Sequence, residues 1–182
     1  MQDIVDQKKL HALTVAEYMT LEIATRTELL GGAIFDVSPK NEPHSLAVSE
    51  LATALCRGLP NTYRVRVQDP LAVSGWHGID APEVDVAVVA ARHYAKTPTA
   101  KDAFALIEIS DTTYGERRGD RRYKIPLYVR AGVPAWIVNI PARRVEQYGC
   151  VADLERDAGH VFDESATLDI LGVAIPVGSL FA

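Results

Sequence analysis

Two eight-residue runs, EVDVAVVA (83–90) and AFALIEIS (103–110), are almost wholly apolar, and each carries a carboxylate in its interior, Asp85 and Glu108. Near-continuous aliphatic runs of this length read as strands of a central sheet. A carboxylate inside a buried strand is costly unless it is paired, neutralised or bound to a metal. The chain must therefore either turn these positions to a wet face or gather them at one polar site.

The rest of the sequence supplies elements around those strands. Thr14 followed by Glu17 is a capping-box signature opening a short helix, TVAEYMTLE. RTELLGGAIFDVSP reads as a hairpin turning at Gly31-Gly32. From His44 to Leu59, Leu46, Val48, Leu51 and Leu55 mark a core-facing helix that stops at Gly58 and Pro60. YRVRVQDPLAVSG alternates as a strand with Tyr63, Val65 and Val67 on one face. Residues 117–131 read as helical, with Pro126 either kinking the helix or lying close to its start. PAWIVNI, VEQYG and GVAIPV add strands. This order predicts a mixed α/β (α+β) fold with a central sheet in a single domain over 1–182. Its core spans about 13–148, with the N-terminal helix and hairpin at 13–38 and C-terminal strands at 145–182.

Composition narrows the classes. A chain of 182 residues, 48% hydrophobic and 24% charged, is long enough for a sizeable core. The net charge of −5 disfavours a general nucleic-acid coat, yet Arg and Lys concentrate between Arg117 and Arg130. MQDIVDQKKLHALTVAEYMTL has no apolar signal core, and no run reaches the length of a membrane span. Cys56 and Cys150 lack CxxC or His spacing and read as ordinary thiols. The expectation is a soluble cytoplasmic protein. GxGxxG, GxxxxGK[ST], GxSxG and HExxH are absent, and the five histidines (His11, His44, His77, His93, His160) lack zinc spacing.

Asp85 and Glu108, taken singly, read more readily as carboxylates hydrogen-bonded at a strand end or set on a sheet's exposed face. Together they read as a pair. Their separation of 23 positions fits two neighbouring strands joined by one excursion. Side-by-side carboxylates call for a positive charge between them, and hard cations such as Mg²⁺ take one or two carboxylates plus water and phosphate. Lys124 reads either as a point charge beside such an ion or as a solvated partner of Asp120 four positions earlier. Arg117, Arg118, Arg121 and Arg122 read as a solvated face or as a phosphate grip. Glu28 either projects from the hairpin toward the same site or is a surface strand residue. His44, at a helix start, reads as a water or phosphate contact or as a structural histidine. Gln68 reads as a hydrogen-bond donor, and Tyr128, one turn beyond Lys124, as core.

With these residues in view, the chain resembles the Uma-two (Uma2) family of restriction-type endonucleases, within the PD-(D/E)xK nuclease superfamily. The matching segments are LTVAEYMTL, RTELLGGAIFDVSPKNEPHS, VRVQDPL, EVDVAVV, LIEIS and DRRYKIPLYVRAGVPAWIVNIPARRVEQY, in order from about 13 to 148. The K-x-P-L-Y-x-R-A-G-V-P string is the most specific of them. The resemblance implies a restriction-endonuclease-like fold, a mixed sheet flanked by helices with a metal-dependent phosphodiesterase site. It implies Asp85 and Glu108 as Mg²⁺ or Mn²⁺ ligands, with Glu28 and His44 at positions that often carry these types. The superfamily pattern places Lys two residues after the second acid, where this chain has Ser110. Lys124 is the matching lysine, moved to the following helix. Val84 precedes Asp85 in place of Pro, and Asn139 stands where Asp is common.

The expected activity is Mg²⁺- or Mn²⁺-dependent hydrolysis of a nucleic-acid phosphodiester, most readily in DNA. The Arg cluster and Gln68 would hold the backbone. A homodimer is the expectation for two-strand cutting, which needs two sites. Two alternatives stand beside this: a nuclease-like module that binds nucleic acid or a partner protein without cutting, and a structural or dimerisation module.

Overall fold

The computed structural model describes residues 12–111, 114, 119–155 and 159–181. Thr14 caps helix α1 (Val15–Tyr18), with its side chain and that of Glu17 exchanging hydrogen bonds as the capping box requires. The hairpin β1 (Thr27–Leu30) and β2 (Ala33–Asp36) turns on Gly31 and Gly32, with φ of 58° and 76°. Two consecutive positive φ angles are what a two-residue type I′ turn needs, and glycine meets them without steric cost.

Helix α2 (Glu42–Gly58) starts two residues before His44, with the Asn41 side chain accepting the His44 N–H at 3.1 Å. Its buried stripe is His44, Ala47, Val48, Leu51 and Leu55, so the histidine heads the apolar face rather than leaving it.

The central sheet has six strands in the order β3-β4-β5-β6-β7-β8. They are β3 (Tyr63–Pro70), β4 (Glu83–Ala90), β5 (Ala103–Ser110), β6 (Ala135–Asn139), β7 (Arg144–Tyr148) and β8 (His160–Asp163). All neighbours run antiparallel except β5 and β6, which are parallel. The crossover between those two carries a π turn over Asp120–Lys124 and helix α3 (Ile125–Arg130). The Ile125 N–H reaches back five residues to the Asp120 carbonyl, which widens the turn before Pro126. The sequence predicted one helix through 117–131. The helix begins as this π turn at Asp120, and Pro126 sits in the first turn of α3, where a missing donor costs little.

One face of the sheet packs on α2 and on a hairpin of β9 (Thr167–Ile170) and β10 (Val173–Pro176), burying Val86, Val88, Ile107 and Trp136. The other face packs on α3, burying Val84, Ala87, Leu106, Ile137 and Tyr128. Val84 and Val86, two apart and so expected on one face, enter opposite layers. The alternation slips at Asp85. A short helix α4 (Val151–Glu155) follows β7. Neither α4 nor strands β8 and β9 stood out in the sequence, because each is four or five residues long with at least half its positions exposed. Among the described residues no helix is long and apolar enough to cross a membrane.

Candidate active site

The two carboxylates lie where the sheet comes apart. The β4–β5 ladder pairs Val86 with Ile107 and goes no further, so the next step along, Asp85 beside Glu108, is unzipped. On the other side of β4 the β3 ladder pairs Val67 with Val86 and Asp69 with Val84, skipping Gln68, whose φ is 51°. Asp85 thus sits between two interrupted ladders. Its carboxylate replaces part of the missing pairing, Oδ2 accepting the Ile109 N–H at 2.9 Å.

Oδ2 of Asp85 also lies 3.1 Å from His44 Nε2, delivered by the first turn of α2. Oδ1 lies 3.3 Å from the ammonium of Lys40, which reaches in from the segment between β2 and α2. Burial alone would raise the Asp85 pKa, but the His44 hydrogen bond and the charges of Lys40 and Lys124 more than offset it. The carboxyl is held well below its usual range.

Glu108 is the opposite case. Tyr128 Oη donates to Oε1, while Oε2 is buried without a hydrogen-bond partner among the described residues. Its cationic neighbour is Lys124, 3.7 Å away. Burial pushes Glu108 well above the usual carboxylate value. Lys124 opposes that, whereas Asp85 and Asp120 add like charge.

Lys124, at the end of the π turn, gathers the remaining acids. Its Nζ lies 3.0 Å from Glu28, 3.8 Å from Asp120 and donates to the Glu83 carbonyl at 3.1 Å. Burial would lower its pKa, but Glu108, Asp120 and Glu28 prevail and hold it above the usual lysine range. The Asp120 pair read from the sequence exists, but it is buried rather than solvated.

Glu28 reaches this point because β1 docks beside the entry to β4. Leu29 and Ala81 exchange backbone hydrogen bonds, and Glu28 accepts the Glu83 N–H at 3.2 Å. Asp80 ties the same region together, accepting from Gly31 N–H at 2.8 Å and Tyr123 Oη at 2.7 Å. The site opens into a cleft of about 360 Å³ whose walls include Glu28, Lys40, His44, Asp111, Asp120 and Lys124.

Asp85, Glu108, Lys124, Glu28 and His44 therefore lie together. Of the four arginines read as a phosphate grip, two lie among the described residues. Arg117 and Arg118 lie outside the described residues. Arg121 is turned away from the cleft, 3.6 Å from Glu146 and stacked over the Tyr148 ring at 4.5 Å. Its partner Glu146 is a structural anchor that also takes Tyr114, Arg144 and Tyr148. Arg122 is exposed. Gln68 is half-buried and is not among the residues lining the cleft. The sequence reading missed Lys40, for which the sequence offers no signal beyond a basic residue four positions before His44.

A divalent cation fits the donors present. Hard carboxylate oxygens are offered by Asp85 and Glu108, and Glu108 Oε2 is a buried acceptor lacking a hydrogen bond. Among the described residues no three His, Cys, Asp or Glu side chains form a ready ligand set. The two acids would thus supply only part of a coordination shell, the rest coming from water and substrate, as is usual for Mg²⁺.

The model of the Uma2 family, described as "Putative restriction endonuclease", matches residues 15–177. A solved structure described as "a putative nuclease belonging to DUF820", from Anabaena variabilis ATCC 29413, superposes with a TM-score of 0.70 at 16% sequence identity. The match covers 93% of this chain and 97% of that one, and at this identity it shows a shared fold. No curated protein matches the chain.

Proposed function

The chain belongs to the Uma2 family of restriction-endonuclease-type proteins, and from that premise we propose that it is a divalent-metal-dependent nuclease hydrolysing phosphodiester bonds of nucleic acid, DNA foremost. The observation that carries the reading is the gathering of Asp85, Glu108 and Lys124 where the β4–β5 ladder ends, the two buried carboxylates lying beside Lys40, His44 and Lys124, which line the cleft.

Asp85 and Glu108 would hold a divalent cation, which supplies an activated water and neutralises charge on the scissile phosphate. The chain's own residues do the rest. His44 and the Ile109 N–H fix the Asp85 carboxylate through Oδ2, leaving Oδ1 with Lys40 as its neighbour. Tyr128 fixes Glu108 through Oε1 and leaves Oε2 available. Lys124, kept charged by Glu28, Glu108 and Asp120, orients the attacking water and offsets charge that develops on the phosphate. Its raised pKa argues against a role in taking the proton from that water.

The non-cleaving alternative is favoured by one observation: both oxygens of Asp85 already face cationic or hydrogen-bonding side chains, Lys40 and His44. Incubation of labelled single- and double-stranded DNA and RNA with Mg²⁺ or Mn²⁺ separates the two. Cleavage by the wild type that is abolished by Asp85→Ala and by Glu108→Ala supports the nuclease. Equal traces in wild type and variants, or binding without cutting, sink it.

A further inference from the structure

The two carboxylates share a pattern. Each has one oxygen held by fixed donors and one whose cationic neighbour is a lysine: Asp85 Oδ1 with Lys40, Glu108 Oε2 with Lys124. The two lysines are held very differently. Lys124 is buried and bound by Glu28, Asp120 and the Glu83 carbonyl as well. Lys40 has a side chain 26% exposed, stands on the short segment between β2 and α2, and has Asp85 as its one ion-pair partner among the described residues. A four-carbon stem on a surface segment can leave Asp85 with little loss, because a partly exposed ion pair contributes little.

We propose that Lys40 is a displaceable internal cation. Its ammonium occupies the metal-facing oxygen of Asp85 and competes with the divalent ion for it, so that Lys40 sets the metal affinity of the site. The inference rests on the metal reading above. Like charges 3–4 Å from one oxygen cannot both be accommodated without strong repulsion, so arrival of the ion requires the ammonium to leave. Lys124 cannot play this part, since its departure would leave the buried Asp120 and the half-buried Glu28 without its charge.

The test is calorimetric titration of Mn²⁺ into the full chain carrying Lys40→Met, Lys40→Arg or Asp85→Asn, beside wild type, in nucleic-acid-free buffer. Lys40 is a surface-segment residue, and far-UV circular dichroism checks that each variant is folded. The inference predicts that Lys40→Met tightens Mn²⁺ binding by about two- to fivefold, the worth of one partly exposed ion pair. Lys40→Arg, which keeps the charge, should stay near wild type. Binding by Lys40→Met alone, with wild type silent, would also support it. Unchanged or weaker binding in Lys40→Met, with Asp85→Asn abolishing binding, overturns the role of Lys40 and leaves the metal site standing. Equal tightening in Lys40→Arg overturns the charge argument. No binding in wild type or any variant overturns the metal reading and this inference with it.

Discussion

Tyr128→Phe is the sharpest probe of the buried half of the site. The phenol donates to Glu108 Oε1, and Oε2 has no hydrogen bond among the described residues, so the substitution strips the carboxylate of the one hydrogen bond it has there. Shape and packing in the layer under α3 are otherwise kept. A hydrogen bond to an ionised acceptor contributes about 1.5–3 kcal/mol, and one to a neutral acceptor about 1 kcal/mol. Glu108 is an acid whose folded-state pKa is raised by burial above its ordinary value of 4.5. Its ionisation therefore costs stability as pH climbs above 4.5 toward that folded value. The Tyr128 hydroxyl opposes the rise, so its removal pushes the Glu108 pKa further up. The deficit of Tyr128→Phe should then be about 1 kcal/mol at pH 4 and grow as pH climbs above 4.5, approaching about 2–3 kcal/mol as Glu108 ionises. Urea denaturation at pH 4 and pH 8, followed by circular dichroism, reads this as a midpoint shift that is larger at the higher pH, up to roughly 1 M. A variant as stable as wild type at pH 8, or a deficit larger at pH 4 than at pH 8, would refute the reasoning.

Asn41→Ala removes the cap of α2 and should cost about 1 kcal/mol, read by thermal unfolding, while loosening the turn that delivers His44. Gln68→Gly relieves a positive φ at a non-glycine residue and should leave stability unchanged or raise it by up to about 1 kcal/mol in the same assay. Arg121→Ala should destabilise by about 1–2 kcal/mol through loss of Glu146 and the Tyr148 stack. Arg122→Ala should leave stability unchanged and weaken DNA binding in a salt-dependent way, measured by fluorescence anisotropy at two ionic strengths.

Much of this site could be read in the sequence because its cost is local. A carboxylate inside an apolar run announces itself, and Asp85 and Glu108 are both such residues. His44 stood at the head of an apolar helical stripe, where it continues the core-facing positions. Lys124 carried two readings until the family resemblance favoured one, and its geometry depends on a π turn that no periodicity foretells. Lys40 was invisible, since its place on Asp85 is set by the length of its stem and the path of a connecting segment. The direction of Arg121 was illegible for the converse reason. Charge density along the chain says nothing of direction, and Arg121 points to Glu146 on β7, 25 positions away in sequence. The interrupted pairing on both sides of Asp85 arises from tertiary register and from the φ of Gln68, neither of which a strand pattern records.

Anomalous diffraction from crystals soaked in Mn²⁺ tests whether Asp85 and Glu108 jointly hold one divalent ion, as proposed. A single strong peak is expected in contact with both carboxylates, at roughly 2.0–2.3 Å from Asp85 Oδ1 and Glu108 Oε2, and none in Asp85→Asn crystals. A peak at another site alone, or none in the wild type at saturating Mn²⁺, would contradict it.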